Sequence, residues 1–229
     1  MVIAGNIAKI EERILNACNK AGRKREEITL MGVSKFIPVN LIEEAFNAGV
    51  RYFGESRVKE AVEKLEGFKI NRKEAQIHLI GSLQRNKAKN AAMFFDCVQS
   101  ADRNELIAEL EKHSQLRSKK LDVLLELHTG EETKSGFENL DALFKAAENL
   151  LSCKKLQPAG LMTMAPFTDD KEAVRSSFRQ LAKAQEEMQK RFPPAENWAC
   201  LSMGMSNDFE TAIEEGSTLL RIGSAIFKG

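Results

Sequence analysis

A closed (β/α)8 barrel preceded by one extra helix is the fold class that the sequence predicts, and three observations carry it. Eight short β-prone runs alternate with helical segments along 229 residues. Several runs, such as Val123-Leu124-Leu125 and Leu219-Leu220, are continuously apolar rather than alternating, as in parallel strands covered on both faces. No GxGxxG follows a strand, so the rival doubly wound open sheet lacks its usual signature. The expectation is one α/β domain of TIM-barrel architecture over residues 1–229.

The chain opens with a helix in which Ile7, Ile10, Ile14 and Cys18 form an apolar stripe, Asn6 is placed to cap, and Gly22 is placed to stop. The strand candidates follow as Ile28 to Ser34, Arg51 to Phe53, Ile77 to Gly81, Asp96 to Ser100, Leu121 to His128, Leu156 to Thr163, Ala199 to Met203 and Thr218 to Gly223. Between them, Asp102 with Glu105, Asp169 with Glu172 and Asn207 with Glu210 each fit a capping box, in which a cap acceptor is answered three residues on. The longest helix, Asp169 to Arg191, places Val174, Phe178, Leu181 and Met188 on one face. No full helix fits between the eighth strand and Gly229, so the leading helix is expected to fill the eighth place in the outer ring.

Composition narrows the function. Lys plus Arg number 34 against 33 Asp plus Glu, scattered through helices instead of gathered into a basic stripe, which argues against a nucleic-acid or membrane partner. Met1 to Asn6 lacks the charged and apolar regions of a signal peptide, and no window is long and apolar enough to span a bilayer, so a cytoplasmic protein is expected. Cys18, Cys97, Cys153 and Cys200 form no CxxC pair, and His78, His113 and His128 complete no metal-ligand spacing; buried free thiols and no metal are the reading.

In such barrels the chemistry sits at the C-terminal ends of the strands. The first strand, Leu30-Met31-Gly32-Val33-Ser34-Lys35, ends in a lysine and is stopped by Pro38, so it delivers an amine to the mouth of an apolar core. Desolvation there would favour the neutral, nucleophilic amine, the requirement for a Schiff base. Most strand-end lysines only run their stems along the core, and Lys35 alone does not decide between the two. The other strand ends offer Glu55 and Ser56, then Ser82 with Gln84, Asn86 and Lys87, then Ser100, Thr129 with Lys134, Thr163 and Ser206, and finally Arg221 with Gly223 and Ser224.

The last two turns are the most informative. Ser206-Asn207-Asp208 leads from strand 7 into a helix, and Gly223-Ser224 follows strand 8, where barrels commonly hold phosphate. Gly223 would let the backbone approach an anion closely. Arg221, next to a buried strand end, should face a ligand or a carboxylate, because an unpaired buried guanidinium is costly. Closure of the barrel puts this pocket beside Lys35. An amine next to a phosphate pocket suits a phosphorylated aldehyde, and pyridoxal phosphate is the candidate.

These residues sit in motifs that span nearly the whole chain. Val33-Ser34-Lys35, Phe53-Gly54-Glu55, His78 to Lys87, Gly130 to Gly136, Gly160 to Pro166, Leu201 to Ser206, Glu215-Gly216-Ser217 and Arg221-Ile222-Gly223 occur in that order. In this the chain resembles the YggS/PROSC family of pyridoxal-phosphate homeostasis proteins, whose barrel is similar to the N-terminal domain of alanine racemase. The resemblance implies that Lys35 carries the cofactor as a Schiff base, that Ser206, Gly223 and Ser224 hold its phosphate, and that Arg221 faces the pyridine nitrogen. An arginine there disfavours protonation of the ring and weakens it as an electron sink. Ser56 stands where many family members have Asn, and its shorter side chain implies that a direct contact to the cofactor ring is lost or passes through water. Glu55 is read as a structural partner of a lysine or arginine at the mouth. The Leu83-Gln84-Arg85-Asn86-Lys87 segment divides between a functional element and an exposed basic helix start.

Two functions follow, a non-catalytic carrier that stores, buffers or delivers pyridoxal phosphate, and a fold-type III enzyme such as an amino-acid racemase. Two-base racemases of this barrel type take a tyrosine from a second domain, whereas this sequence stops at the barrel and has Tyr52 alone, in the second strand. The carrier is the favoured reading, with apo forms of pyridoxal-phosphate-dependent enzymes as possible partners and a monomer or weak homodimer as the expected assembly.

Overall fold

The computed structural model describes residues 2–65, 74–130 and 135–228. Its eight strands close into one parallel barrel in sequence order. They are β1 (Thr29–Val33), β2 (Tyr52–Glu55), β3 (Gln76–Leu79), β4 (Cys97–Ala101), β5 (Leu121–Glu126), β6 (Leu156–Met162), β7 (Cys200–Ser202) and β8 (Leu219–Ile222). Pairing of Thr29 with Leu219 through Gly32 with Ile222 closes the ring between β1 and β8. The open-sheet alternative is thereby excluded, and the eight sequence candidates each correspond to a strand.

The ends differ for identifiable reasons. The second strand runs on through Gly54 and Glu55, residues with little β-propensity, because they pair with His78 and Leu79 of β3, and a side chain at Gly54 would meet Met31 Sδ at 2.9 Å; tertiary pairing overrides propensity there. The fifth stops at Glu126, after which Leu127 bridges Phe137 and the His128 N–H bonds Phe137 O, so the chain turns over the barrel end instead of prolonging the ladder.

Around the barrel lie α1 (Val2–Ala21), α2 (Val39–Asn47), α3 (Val58–Leu65), α4 (Ala88–Phe94), α5 (Asn104–His113), α6 (Leu140–Ser152), α7 (Lys171–Arg191), α8 (Phe209–Glu214) and the one-turn α9 (Ser224–Phe227). Helix α1 buries Ile3, Ile7, Ile10, Ile14, Ala17 and Cys18, and it packs against α8, α9 and α2, filling the eighth place in the ring. Gly22, at φ +66°, ends it as the sequence suggested. Each apolar side chain so buried contributes about 1.5–3 kcal/mol. Helix α7 buries the expected Val174, Phe178, Leu181 and Met188 against the barrel.

The caps required correction. Asn6 lies inside α1, where its Nδ2 donates to Ile226 O at 3.0 Å and ties α1 to α9. In the Asp169-Asp170 pair the second residue caps α7, accepting from the Glu172 and Ala173 N–H groups; adjacent acceptors leave the frame open from sequence. Arg103 precedes α5, while Asp102 pairs with it instead of capping. Before α8 the preceding residue is Asp208, and its Oδ1 turns back to accept the Met205 N–H at 2.5 Å. The cap of α6, Asn139 accepting from the Ala142 N–H, went unread. All four cysteines are free, with Cys18 and Cys97 buried and Cys153 and Cys200 only half-buried.

Candidate functional site

Two turns on either side of the barrel closure build the site. The first leaves β1. Ser34 is buried, its Oγ donates to Glu55 Oε1 at 2.6 Å, and Lys64 Nζ reaches both Ser34 O at 2.8 Å and Glu55 Oε1 at 2.7 Å. Glu55 is thus the partner of a mouth lysine, as its position suggested. Phe36, at φ 61°, occupies a conformation costly for a bulky residue, and its N–H is held by Glu60 Oε1 at 2.9 Å. The turn is therefore fixed from below, and Lys35 stands on it as an exposed amine. This corrects the desolvated setting read from the sequence: the apolar strand ends one residue earlier, and the lysine projects beyond the core.

The second turn region follows β7 and β8. Gly204, at φ +96° and with Ala212 Cβ 2.6 Å from where a side chain would begin, can only be glycine. Its carbonyl accepts the Arg221 N–H at 2.9 Å, which seats β8 under the turn. Ser206 and Ser224 then face each other, Ser224 Oγ donating to Ser206 Oγ at 3.2 Å. A side chain at Gly223 would come within 3.3 Å of Val33, so this glycine also lets the closing turn sit against β1.

Arg221 is 4 % exposed at the cavity wall. Nη1 donates to Ser202 O and Ser202 Oγ, and Nη2 donates to Thr163 O, all at 2.7 Å. These acceptors are neutral, so of the two partners expected, a ligand or a carboxylate, no carboxylate among the described residues is in contact, and the nearby acids act through space. Burial lowers its pKa to about 10, with Glu126 and Asp208 acting against that, so it remains a cation near neutrality. A guanidinium has five N–H donors, and three are used by these bonds. Two are left without an acceptor among the described residues.

A cavity of about 1280 Å³ joins the two turns, and Lys35, Ser56, Ser206, Arg221, Gly223 and Ser224 all line it. Sequence reasoning missed the two aromatics at its rim, Phe36 (65 % exposed) and Phe167 (86 % exposed). It also missed the interior polar groups beneath Arg221: Gln99 stands within a strand and carries no motif, and Ser202, although inside the Leu201 to Ser206 motif, has no sequence signal that pairs it with Arg221. Other strand-end candidates lie elsewhere. Thr129, Thr163 and Ser177 bond one another between β5, β6 and α7; Ser100 Oγ donates to Gly81 O. Arg85 to Lys87 form an exposed 3-10 turn with Arg85 on Glu109. Lys134 lies outside the described residues.

Comparison with known proteins places this architecture. The family model for the alanine racemase N-terminal domain matches residues 6–229. The pyridoxal phosphate homeostasis protein of Aquifex aeolicus (strain VF5) is 40% identical over 224 residues, covering 96% of this chain and 95% of that protein. The chain belongs to this family. Among solved structures, PipY of Synechococcus elongatus PCC7942 with PLP bound superposes with a TM-score of 0.84 at 30% identity, over 98% of this chain and 99% of that one. An alanine racemase from Clostridium difficile 630, at 15% identity and a TM-score of 0.78, shares the fold over 98% of this chain but only 56% of its own. No described helix is long and apolar enough to cross a membrane.

Proposed function

We propose that this chain binds pyridoxal 5′-phosphate and serves its homeostasis, storing, buffering or delivering the cofactor without turning over a substrate. The observation that carries the proposal is the convergence of Lys35, two facing hydroxyls and a buried arginine with unpartnered donors in one cavity. These residue types fit the group: an amine for the aldehyde, hydroxyls for the phosphate and a cation for the ring nitrogen. The naming of the homeostasis relatives and the bound cofactor in PipY support the same reading.

In this proposal Lys35 forms the Schiff base, and Ser206, Ser224 and the Gly223 backbone hold the phosphate. Ser56 contacts the ring side. Arg221 offers its free donors to the pyridine nitrogen and, being cationic, keeps a proton off it. When bound, the cofactor supplies an electrophilic aldehyde and a moderate electron sink. The pinned turn beneath Lys35 holds the amine at the rim, open to exchange with solvent or with an apo-enzyme acceptor.

The carrier reading rests on the groups that could move protons. Among the described residues lining the cavity there is no Tyr, His or Cys. Tyr52 begins β2, at the end of that strand remote from the mouth, and meets His78 edge-on with ring centroids 5.6 Å apart. Among the described residues no tyrosine, the second base of such racemases, lines the cavity with Lys35.

The test is borohydride reduction of protein loaded with pyridoxal phosphate, followed by peptide mapping. The label should fall on Lys35, and a Lys35→Ala variant should hold no reducible cofactor. A label on Lys87 or Lys134 with Lys35 unmodified would overturn the assignment. Exchange of the α-proton of alanine in deuterated water at an enzyme-like rate would overturn the carrier reading in favour of a racemase.

A further inference from the structure

Beneath the cavity a chain of hydrogen bonds crosses the barrel interior, and the orientation of the Gln99 amide, with Oε1 toward Ser202, gives it a direction. Arg221 can only donate. Its Nη1 bonds Ser202 Oγ at 2.7 Å, so that oxygen accepts there and its one proton must go elsewhere. The proton points to Gln99 Oε1, 2.6 Å away. Gln99 is fully buried, and with its oxygen committed to Ser202 its Nε2 donates to His78 Nδ1 at 2.9 Å and touches Met31 Sδ at 4.0 Å. His78 Nδ1 is therefore the acceptor, its proton resides on Nε2, and that proton meets Gln76 Oε1 at 3.1 Å.

With the Gln99 amide oriented so that Oε1 faces Ser202 Oγ and Nε2 faces His78, every member of this chain has one consistent role. The other two acceptors of Arg221 are carbonyls fixed by the strands. Ser202 Oγ is the only one that a rotation could turn from acceptor to donor.

We propose that Gln99 and His78 are positioning residues for the cofactor ring: they hold Ser202 Oγ as an acceptor and thereby lock the Arg221 guanidinium in the orientation that presents its free donors to the pyridine nitrogen. This rests on the assignment of Arg221 to the ring in the preceding section. Burial lowers the His78 pKa to about 3, so the imidazole remains neutral and the direction of the chain persists across the physiological range. The arrangement needs no contact between Gln99 or His78 and the cofactor.

The test uses the full chain loaded with pyridoxal phosphate labelled with 15N in the ring, with the nitrogen chemical shift followed from mildly acidic to mildly basic pH. The wild-type signal should stay at the unprotonated position throughout. Gln99→Met, which keeps the volume, should let the signal move toward the protonated position on acidification and should speed cofactor dissociation about tenfold, the equivalent of one good hydrogen bond. His78→Leu should do the same to a lesser degree, whereas His78→Asn, whose Oδ1 can replace Nδ1 as acceptor, should restore the wild-type signal. Met162→Leu, an interior swap outside the chain of bonds, should leave it unchanged.

The His78 pair carries the test if Met at position 99 does not fold. Wild-type signals and dissociation rates in Gln99→Met and His78→Leu would overturn the inference, as would equal displacement by Leu and Asn at position 78. A wild-type chain that takes no cofactor would overturn the functional reading as well, so the two failures are distinguishable.

Discussion

The rim of the barrel mouth and the layer of side chains just below it are built on opposite principles. At the rim, Lys35, Ser224, Phe36 and Phe167 are exposed, and the turn that carries Lys35 has no ladder of its own. One layer down, Ser34, Glu55, Gln99, Glu126, Ser202 and Arg221 are polar and fully or almost fully buried, each tied into hydrogen bonds. Buried polar groups are costly unless satisfied, so the lower layer ought to govern folding, while the exposed rim can be altered with little effect on stability. The division suits the proposed carrier, which would hold a reactive ligand and still give it up.

The largest effect should come from breaking the lower layer beneath Lys35. Lys64 is the counter-charge of the fully buried Glu55, whose Oε2 already has no partner among the described residues. Lys64→Met would leave a buried carboxylate uncompensated and should cost about 3–5 kcal/mol in chemical denaturation. The double variant Lys64→Met with Glu55→Gln should recover most of that loss. A Lys64→Met protein as stable as wild type would place Glu55 with the rim instead of with the folding layer.

The same contrast explains how much was legible in the sequence. Lys35, Ser206, Gly223 and Ser224 lie at strand ends or in short turns beside glycine or proline, where local signals point directly to the mouth. Arg221 was legible as a buried strand-end cation, but its acceptors were not: Ser202 and Thr163 are brought to it by barrel closure, from 19 and 58 residues away. Gln99 reads as an ordinary member of an apolar strand, and His78, although it opens a family motif, shows no sign in the sequence of facing the interior, since only register decides which strand residues do. The caps shifted by a residue or more because several acceptors in succession compete for the same N–H groups.

Glu126 offers a smaller and pH-dependent probe of the lower layer. Burial raises its pKa from 4.5 to about 7, and Ser135 Oγ donates to its Oε1 at 2.9 Å, partly offsetting the shift. The native state therefore holds this proton more tightly than the unfolded state does. Stability from this group is complete below pH 4.5 and is lost as pH rises to about 7 and beyond. Glu126→Gln, which can keep the Ser135 bond, should raise stability above neutral pH by up to about 3 kcal/mol and leave it unchanged in acid. His78 contributes the opposite slope at acidic pH, because burial depresses its pKa, but it is common to both proteins and cancels in their difference. A difference that does not vary with pH would remove Glu126 from the layer of costly buried charges.

The smallest change in stability, and the clearest sign that the rim is separate, should come from the hydroxyl pair. Ser206 and Ser224 bond each other at 3.2 Å in a half-buried to exposed setting, so removing either hydroxyl leaves no buried group unsatisfied and should alter folding by no more than about 0.5 kcal/mol. If they hold the phosphate, each contributes hydrogen bonds to a charged acceptor, worth about 1.5–3 kcal/mol. Ser206→Ala and Ser224→Ala should then each weaken pyridoxal phosphate binding by about tenfold or more, as read by equilibrium titration, while affinity for pyridoxal lacking the phosphate hardly changes. The specificity matters more than the size. A variant that lost both ligands equally would have disturbed Lys35 or the turn beneath it, whereas loss confined to the phosphorylated form assigns the hydroxyls to the anion and leaves the buried layer intact.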